Sequence, residues 1–188
     1  SLFIASLGAT VVAGHRIVAN ISALTYMLPL SLAIATMAAV GQAVGGRDWP
    51  RAHATIKAGL ILSAVLSTVV GVLLWLAAEP LVAAYTSDPA VRSVAVGLIV
   101  YVALYQFFDA LQTVAGHALR AYRVTFAPML VQPFCFWGVG LLGGSWLCFR
   151  WSPPLGVAGF WLASVISLVL AAALLLPLLR KAMQTTES

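Results

Sequence analysis

The sequence predicts an all-α polytopic integral membrane protein, on three observations. Of its 188 residues, 62% are hydrophobic and 8% are charged. A soluble domain carries roughly 25% charged residues, so this chain has too little polar surface to coat a water-facing globule. The apolar residues fall into five blocks of 20 or more, the length a helix needs to cross a hydrocarbon core of ~30 Å. These blocks do not alternate polar with apolar residues as barrel strands do, and an open sheet leaves backbone groups unpaired in lipid, so the spans are helices. The same composition excludes a soluble enzyme, a disordered chain and a disulfide-stapled secreted domain.

Taken in order, Ser1–Ala13 is apolar but too short to span. No basic region precedes Leu2-Phe3-Ile4, so it reads as the tail of a preceding helix rather than a signal peptide, and the chain reads as part of something longer. The first full span is Gly14–Gly45, with Pro29 at its middle. At 1.5 Å per residue it reaches about 48 Å, so it must tilt, bend at Pro29 or project from the bilayer. It carries Asn20, Ser22, Thr25, Tyr26, Ser31, Thr36 and Gln42. That polarity suits a helix facing protein or water, either through interhelical hydrogen bonds or by lining a cavity. The second span is Ala52–Ala78 and the third Arg92–Ala118. The fourth is Tyr122–Phe149, containing Pro128 and Pro133, and the last is Gly156–Leu179. Residues 1–182 thus form one transmembrane domain and 183–188 a polar tail.

The breaks between spans are Gly45-Gly46-Arg47-Asp48-Trp49-Pro50, Thr86-Ser87-Asp88-Pro89 and Trp151-Ser152-Pro153-Pro154. Asp88 is placed to cap the helix that follows it. The net charge of +5 does not point to nucleic acid, because the ten Lys/Arg are scattered between apolar blocks. They sort by side instead. Arg47, Arg51, Lys57, Arg120, Arg123, Arg180 and Lys181 fall on one side; Arg16, Arg92 and Arg150 fall on the other. The richer side is expected in the cytoplasm, and with it the C-terminus. Trp49, Trp75, Trp146 and Trp151 lie near span ends, as interfacial aromatics do. Cys135 and Cys148, roughly 20 Å apart on one helix, are too distant to bridge. Gly41/Gly45 and Gly140/Gly144 have the spacing of close helix packing, expected within the chain rather than in a dimer.

Four of the five acids, Asp48, Glu79, Asp88 and Glu187, lie in loops, at span ends or in the tail. Asp109 alone lies deep in a span, about 16 Å along the axis from Arg120. A charge there costs several kcal/mol or more unless it is paired, wetted or protonated, so a lipid-facing Asp109 is excluded. Its helical neighbours at i±3, i±4 and i±7 include Tyr105, Gln106, Gln112, Thr113 and Gly116. A polar stripe runs from Tyr101 through Tyr105, Asp109, Gln112 and Gly116 to Arg120, opposite Leu104, Phe107, Leu111 and Val114. A carboxylate one turn from a phenol and amides can bind a hard cation such as Na⁺ or exchange a proton. We favour that role for Asp109 over a purely structural hydrogen bond. Tyr26, Asn20, Gln106, Gln112 and Thr113 are candidate cavity-lining residues. His117 reads as an interfacial polar residue more than a proton relay, His15 and Arg16 as an outer-surface anchor, and His53 as a turn residue. No Ser-His-Asp, HExxH, P-loop or GxGxxG constellation is present, so no enzyme site is expected.

Several stretches are distinctive together. They are Ala13-Gly14-His15-Arg16-Ile17-Val18-Ala19-Asn20, Met27-Leu28-Pro29-Leu30-Ser31 and Val40-Gly41-Gln42-Ala43-Val44-Gly45. To these add Tyr105-Gln106-Phe107-Phe108-Asp109-Ala110-Leu111-Gln112 with Leu119-Arg120-Ala121-Tyr122, and Leu155-Gly156-Val157-Ala158-Gly159-Phe160-Trp161. The chain resembles the C-terminal half of NorM-like multidrug and toxic compound extrusion (MATE) transporters, across nearly its whole length. The first three stretches resemble the eighth helix of that family, the fourth the tenth helix and its exit, and the last the start of the twelfth.

The resemblance implies two six-helix bundles around a central cavity. This chain would be the C-terminal lobe, with five full spans and a remnant of the seventh helix. It implies antiport of Na⁺ or H⁺ against organic compounds by alternating access, in a bacterial inner membrane, with no cofactor beyond the coupling ion. It assigns the cation site of this lobe to Asp109 and Tyr105, with Na⁺ at Asp109 if sodium is the ion. A seventh-helix Glu completes that site in the family and is not in this sequence. The partners implied are the lipid bilayer, small organic substrates and an N-terminal lobe, and no nucleic acid. Two other readings stay open: a flippase for lipid-linked precursors, which the lack of Lys or Arg at a span centre disfavours, and a truncated membrane subunit without transport of its own.

Overall fold

The computed structural model describes residues 8–143, 145–146 and 157–185, with the side chain of Ala127 excepted. Helices follow one another as α1 (Ala9–Gly45), α2 (Trp49–Leu76), α3 (Ala78–Ala83), α4 (Pro89–Ala121), α5 (Phe126–Pro133) and α6 (Val157–Thr185). A π-helical segment, Phe134–Gly143, continues α5.

Helix starts follow local chemistry. The Asp48 carboxylate accepts from the Arg51 backbone N–H at 3.1 Å, and Pro50 fits the first turn of α2. Asp88 does the same for α4, accepting from Ala90 N–H at 2.8 Å with Pro89 behind it, as expected. The stops of α1 and α4 share one form. Asp48 N–H bonds Ala43 O at 2.9 Å and Arg47 N–H bonds Val44 O at 3.1 Å; Val124 N–H bonds Leu119 O at 3.0 Å and Arg123 N–H bonds Arg120 O at 2.9 Å. Both are Schellman caps, with Arg47 (φ 57°) and Arg123 (φ 62°) in the left-handed position that glycine usually takes.

Several boundaries depart from the expectation, among them the starts of α2 (Trp49 rather than Ala52) and α4 (Pro89 rather than Arg92) and the end of α4 (Ala121 rather than Ala118). Ala9–Ala13 continue α1 rather than ending an earlier helix, because the break falls at Gly8 (φ 102°), a conformation glycine adopts freely; residues 1–7 lie outside the described residues. The second span stops at Leu76, and its last expected residues pass into the short α3. The expected fourth span is not one α-helix. Pro133 has no N–H to donate and crowds the carbonyl one turn back, and the chain passes there into π geometry. Four helices among the described residues, α1, α2, α4 and α6, are therefore long and apolar enough to cross a membrane, with Pro128–Gly143 as a shorter apolar stretch. The last helix extends past Leu179 to Thr185, so the tail is still helical at residues 183–185.

Two apolar clusters fix the relative directions of the helices. One joins Val18 and Ile21 of α1, Leu74 of α2, Ala95, Leu98, Ile99 and Val102 of α4, and Trp161 of α6. The other joins Val40 and Ala43, Ala52 and Ile56, Ala115, Ala118 and Leu119, and Leu175, Leu179 and Ala182 of the same four helices. So α1, α4 and α6 run in one direction and α2 in the other, with α4 packed against the other three. Glycines set the closest approaches. A Cβ on Gly59 would lie 2.6 Å from Thr36 Oγ1 of α1, and one on Gly14 would lie 2.8 Å from Val94 Cγ1 of α4. Gly41 and Gly45, by contrast, face open space, so the expected intrachain packing of that pair does not occur. Gly140 packs against Ser167 of α6; Gly144 lies outside the described residues.

Arg47, Arg51, Lys57, Arg120, Arg123, Arg180 and Lys181 belong to the end of the bundle marked by the second cluster, and Arg16 and Arg92 to the opposite end. Arg150, Trp151 and Cys148 lie outside the described residues.

Candidate functional site

Between the two apolar clusters lies a polar layer on α4. Gln106, Asp109, Gln112 and Thr113 are all buried there, Asp109 at 3% exposure. Asp109 Oδ1 accepts from Gln112 Nε2 at 3.0 Å. Gln112 Nε2 also lies 3.2 Å from Thr113 Oγ1, and Gln112 Oε1 accepts from Gln132 Nε2 of α5 at 3.3 Å. The carboxylate is thus held by an amide that a second helix holds in turn.

Asp109 opens onto a cavity of about 1030 Å³. His15, Ser22 and Tyr26 line it from one face of α1, spaced so that they stack on a 3.6-residue period. Tyr105, Asp109, Gln112 and Arg120 line it from α4, Gln132 from α5, Trp137 from the π segment and Trp161 from α6. It runs from His15 at one end of the bundle to Arg120 at the other. Trp161 packs at 6.0 Å from the Tyr105 ring and 5.8 Å from the His15 ring. Apolar and aromatic walls with a few convergent polar groups suit a small organic molecule. The carboxylate suits a monovalent cation or a proton. No group of three His, Cys, Asp or Glu among the described residues could hold a metal by itself, so a bound Na⁺ would draw on neutral oxygens beside Asp109, of which the Tyr105 hydroxyl is one turn away.

Of the residues proposed from sequence, Asp109, Tyr105, Tyr26 and Gln112 line this cavity. Asn20, Gln106 and Thr113 do not. Helical geometry gives the reason for the last two. Tyr105 and Gln112 lie roughly 40–60° to one side of Asp109 around the axis, Gln106 and Thr113 a similar angle to the other. The cavity is on the first side. Gln106 Oε1 is buried with no hydrogen-bond partner among the described residues, and Thr113 carries the contact to Gln112 while its carbonyl accepts from His117 Nδ1 at 2.8 Å. That bond keeps His117 on its own helix and off the cavity wall. Asn20 is exposed and accepts from Tyr85 OH at 3.3 Å. The other polar residues of α1 are mostly self-satisfied: Thr25, Ser31 and Thr36 donate to Ile21, Met27 and Leu32 carbonyls.

The lining residues that were not anticipated include His15, Trp161 and Gln132. His15, expected as a surface anchor, forms part of the wall, and its Nδ1 is buried with no hydrogen-bond partner among the described residues. Its signal was the i, i+7, i+11 register with Ser22 and Tyr26. Trp161 has its Nε1 in the same condition. Gln132 was readable as the one amide in the apolar run from Phe126 to Gly144.

A family model described as MatE matches residues 1–146. A curated protein of Aromatoleum aromaticum named "Probable multidrug resistance protein NorM" is 53% identical over 192 residues, covering 100% of this chain and 41% of that protein. "Multidrug resistance protein PmpM" of Pseudomonas aeruginosa is 41% identical over 179 residues, covering 93% of this chain and 37% of that protein. Among solved structures, a MATE protein in a bent conformation superposes with a TM-score of 0.86 at 18% identity, over 93% of this chain and 38% of that one. An inward-facing multidrug resistance MATE family transporter superposes with a TM-score of 0.84 at 18% identity, over 93% and 39%. At that identity the structures show the fold alone. The chain spans about two fifths of the length of the curated relatives it matches.

Proposed function

The chain belongs to the MatE family, and from that premise we propose that it works as the C-terminal lobe of a two-lobe exporter in a bacterial inner membrane, exchanging Na⁺ or H⁺ for small organic molecules by alternating access. It is a transport segment and not an enzyme. The observation that carries this reading is a single carboxylate, Asp109, buried mid-helix yet opening onto a cavity large enough for a drug-sized molecule. Occupation of Asp109 by the ion and occupation of the cavity by cargo then compete for one space, and that competition is what exchange requires. An N-terminal lobe encloses the other half of the pathway, and rocking of the two lobes exposes the site to each side in turn.

The test is transport in proteoliposomes with Na⁺ and pH gradients imposed independently. The two-lobe transporter carrying this chain should move a fluorescent aromatic cation against one of the gradients and not the other. This chain alone should insert and transport nothing. Transport by the chain alone, or by neither preparation under either gradient, would contradict the reading; the second outcome would favour a membrane subunit without transport.

The orientation we propose puts the C-terminus in the cytoplasm, supported by seven Lys/Arg at that end of the bundle against Arg16 and Arg92 at the other. Single reporter cysteines at Ser87 and Thr185 should label from outside and inside respectively. The reverse pattern would invert the topology.

A further inference from the structure

The end of the cavity nearest His15 is built from aromatic rings on three helices. Trp161 of α6 stands between His15 of α1 and Tyr105 of α4, its ring centroid 5.8 Å from the first and 6.0 Å from the second. Several polar side chains of the wall are spent within the protein. Gln132 donates to Gln112, Gln112 donates to Asp109, and Ser164 Oγ donates to Phe160 O at 2.8 Å. His15 and Trp161 differ. Both line the cavity, yet His15 Nδ1 and Trp161 Nε1 are buried with no hydrogen-bond partner among the described residues. Trp161 as a whole is only 7% exposed. A buried N–H without an acceptor is costly, and such groups are rare enough to call for a ligand. The indole Nε1–H is a donor and nothing else, so its partner must be an acceptor.

We propose that this end of the cavity is a subsite for an acceptor oxygen on the cargo, with Trp161 Nε1–H as the donor that selects it. The cargo class is then an aromatic organic molecule with a carbonyl oxygen beside its ring system. A carbonyl oxygen has two lone pairs, so it can accept from Trp161 and also from His15 in the tautomer that carries hydrogen on Nδ1. Both nitrogens are covered in the empty cavity. The torsion that turns each ring about its Cβ–Cγ bond is broad, so a small turn brings the nitrogen to the wall surface. The rings supply apolar and edge contacts to the cargo's own aromatic system, and the nitrogens supply the discrimination. Selection of this kind is steep, because an analogue without the oxygen leaves the buried donor unpaired. The subsite rests on the export function proposed above and narrows which molecules are exported. The charge on Asp109 does not enter it.

The experiment compares two aromatic monocations in the two-lobe transporter, an N-methyl naphthoyl-pyridinium and its naphthylmethyl analogue, which differ only by C=O against CH₂. Affinity is read by displacement of one fluorescent aromatic cation, and transport as efflux per amount of protein in the membrane. The parent should bind the ketone about tenfold or more tightly than the methylene analogue. Trp161→Phe keeps an aromatic ring and removes the N–H. It should bring the two affinities within about twofold of each other, whatever it does to both together; a purely packing role for Trp161 would leave their ratio unmoved. Trp161→benzothienylalanine, the same bicycle with sulfur in place of N–H, replaces it if Trp161→Phe does not insert. Equal affinities in the parent would overturn the proposal, as would a variant without the N–H that keeps the tenfold preference. The export reading survives both results as long as the parent moves the two compounds against an ion gradient. A parent that moves neither compound under either gradient would remove the export reading, and this inference with it.

Discussion

Asp109→Asn in the two-lobe transporter is expected to reduce ion-coupled efflux by about 100-fold or more, corresponding to ~2.8 kcal/mol at 1.4 kcal/mol per decade. The amide keeps the size of the side chain and most of its hydrogen-bonding capacity, so the bond to Gln112 can be remade and the helix still inserts. What it cannot keep is the charge that the proposed function uses to hold Na⁺ or exchange H⁺. In a buried site a unit charge interacts far more strongly than in water, so its removal should dominate every other single change in the cavity. Tyr105→Phe should be milder, by about two- to tenfold, because it deletes a single hydroxyl contact worth roughly 0.5–1.5 kcal/mol. Asp88→Asn is the control. That carboxylate caps α4 from an exposed turn, and the amide side chain is an equally good cap. The readout is efflux per amount of protein in the membrane.

Gly59→Leu should have the largest structural effect. A Cβ at this position would meet Thr36 Oγ1 at 2.6 Å and Cγ2 at 2.7 Å. Thr36 cannot swing clear without loss. It is β-branched and buried, and its hydroxyl donates to Leu32 O at 2.8 Å. The extra side chain must therefore push α1 away from α2 and open the wall that carries Tyr26. Overpacking of this kind costs about 1–3 kcal/mol, and Leu goes well beyond one methyl. An apparent Tm lower by about 4–8 °C in detergent is expected for a cost near 2 kcal/mol in a chain of this size. Gly41→Leu, which points into open space, should leave the stability of this lobe unchanged.

These two residues also mark what the sequence makes legible and what it hides. Asp109 stands out in the sequence because a carboxylate in the centre of an apolar helix has few tolerable environments, and the polar neighbours one turn away narrow them further. Four of the five expected spans and Asp88 as a cap are equally readable, since they depend on local periodicity and turn chemistry. What periodicity cannot supply is the azimuth of the cavity. Gln106 and Gln112 are near-symmetric about Asp109 in sequence, yet only Gln112 faces the open side. Asn20 and His15 exchange their expected roles for the same reason: Asn20 lies about 140° around α1 from His15, on the side of Tyr85 and away from the cavity wall. The GxxxG spacing of Gly41 and Gly45 misleads because packing glycines are defined by what stands opposite. Gly59 and Gly14, which carry no motif, are the ones against which neighbouring helices close. The fourth span reads as a plain helix because apolar length is blind to Pro133, whose missing N–H changes the hydrogen-bonding pattern downstream.

The central claim is that ion and cargo exclude one another at Asp109, and the most direct measurement is ion release on cargo binding. The two-lobe transporter, equilibrated in detergent with Na⁺ at fixed pH, is titrated with a fluorescent aromatic monocation while free Na⁺ and H⁺ are recorded. The account predicts that saturation by cargo releases bound Na⁺ or H⁺ from the parent and none from Asp109→Asn. Cargo binding to the parent with no ion released, or equal release from the variant, would contradict it.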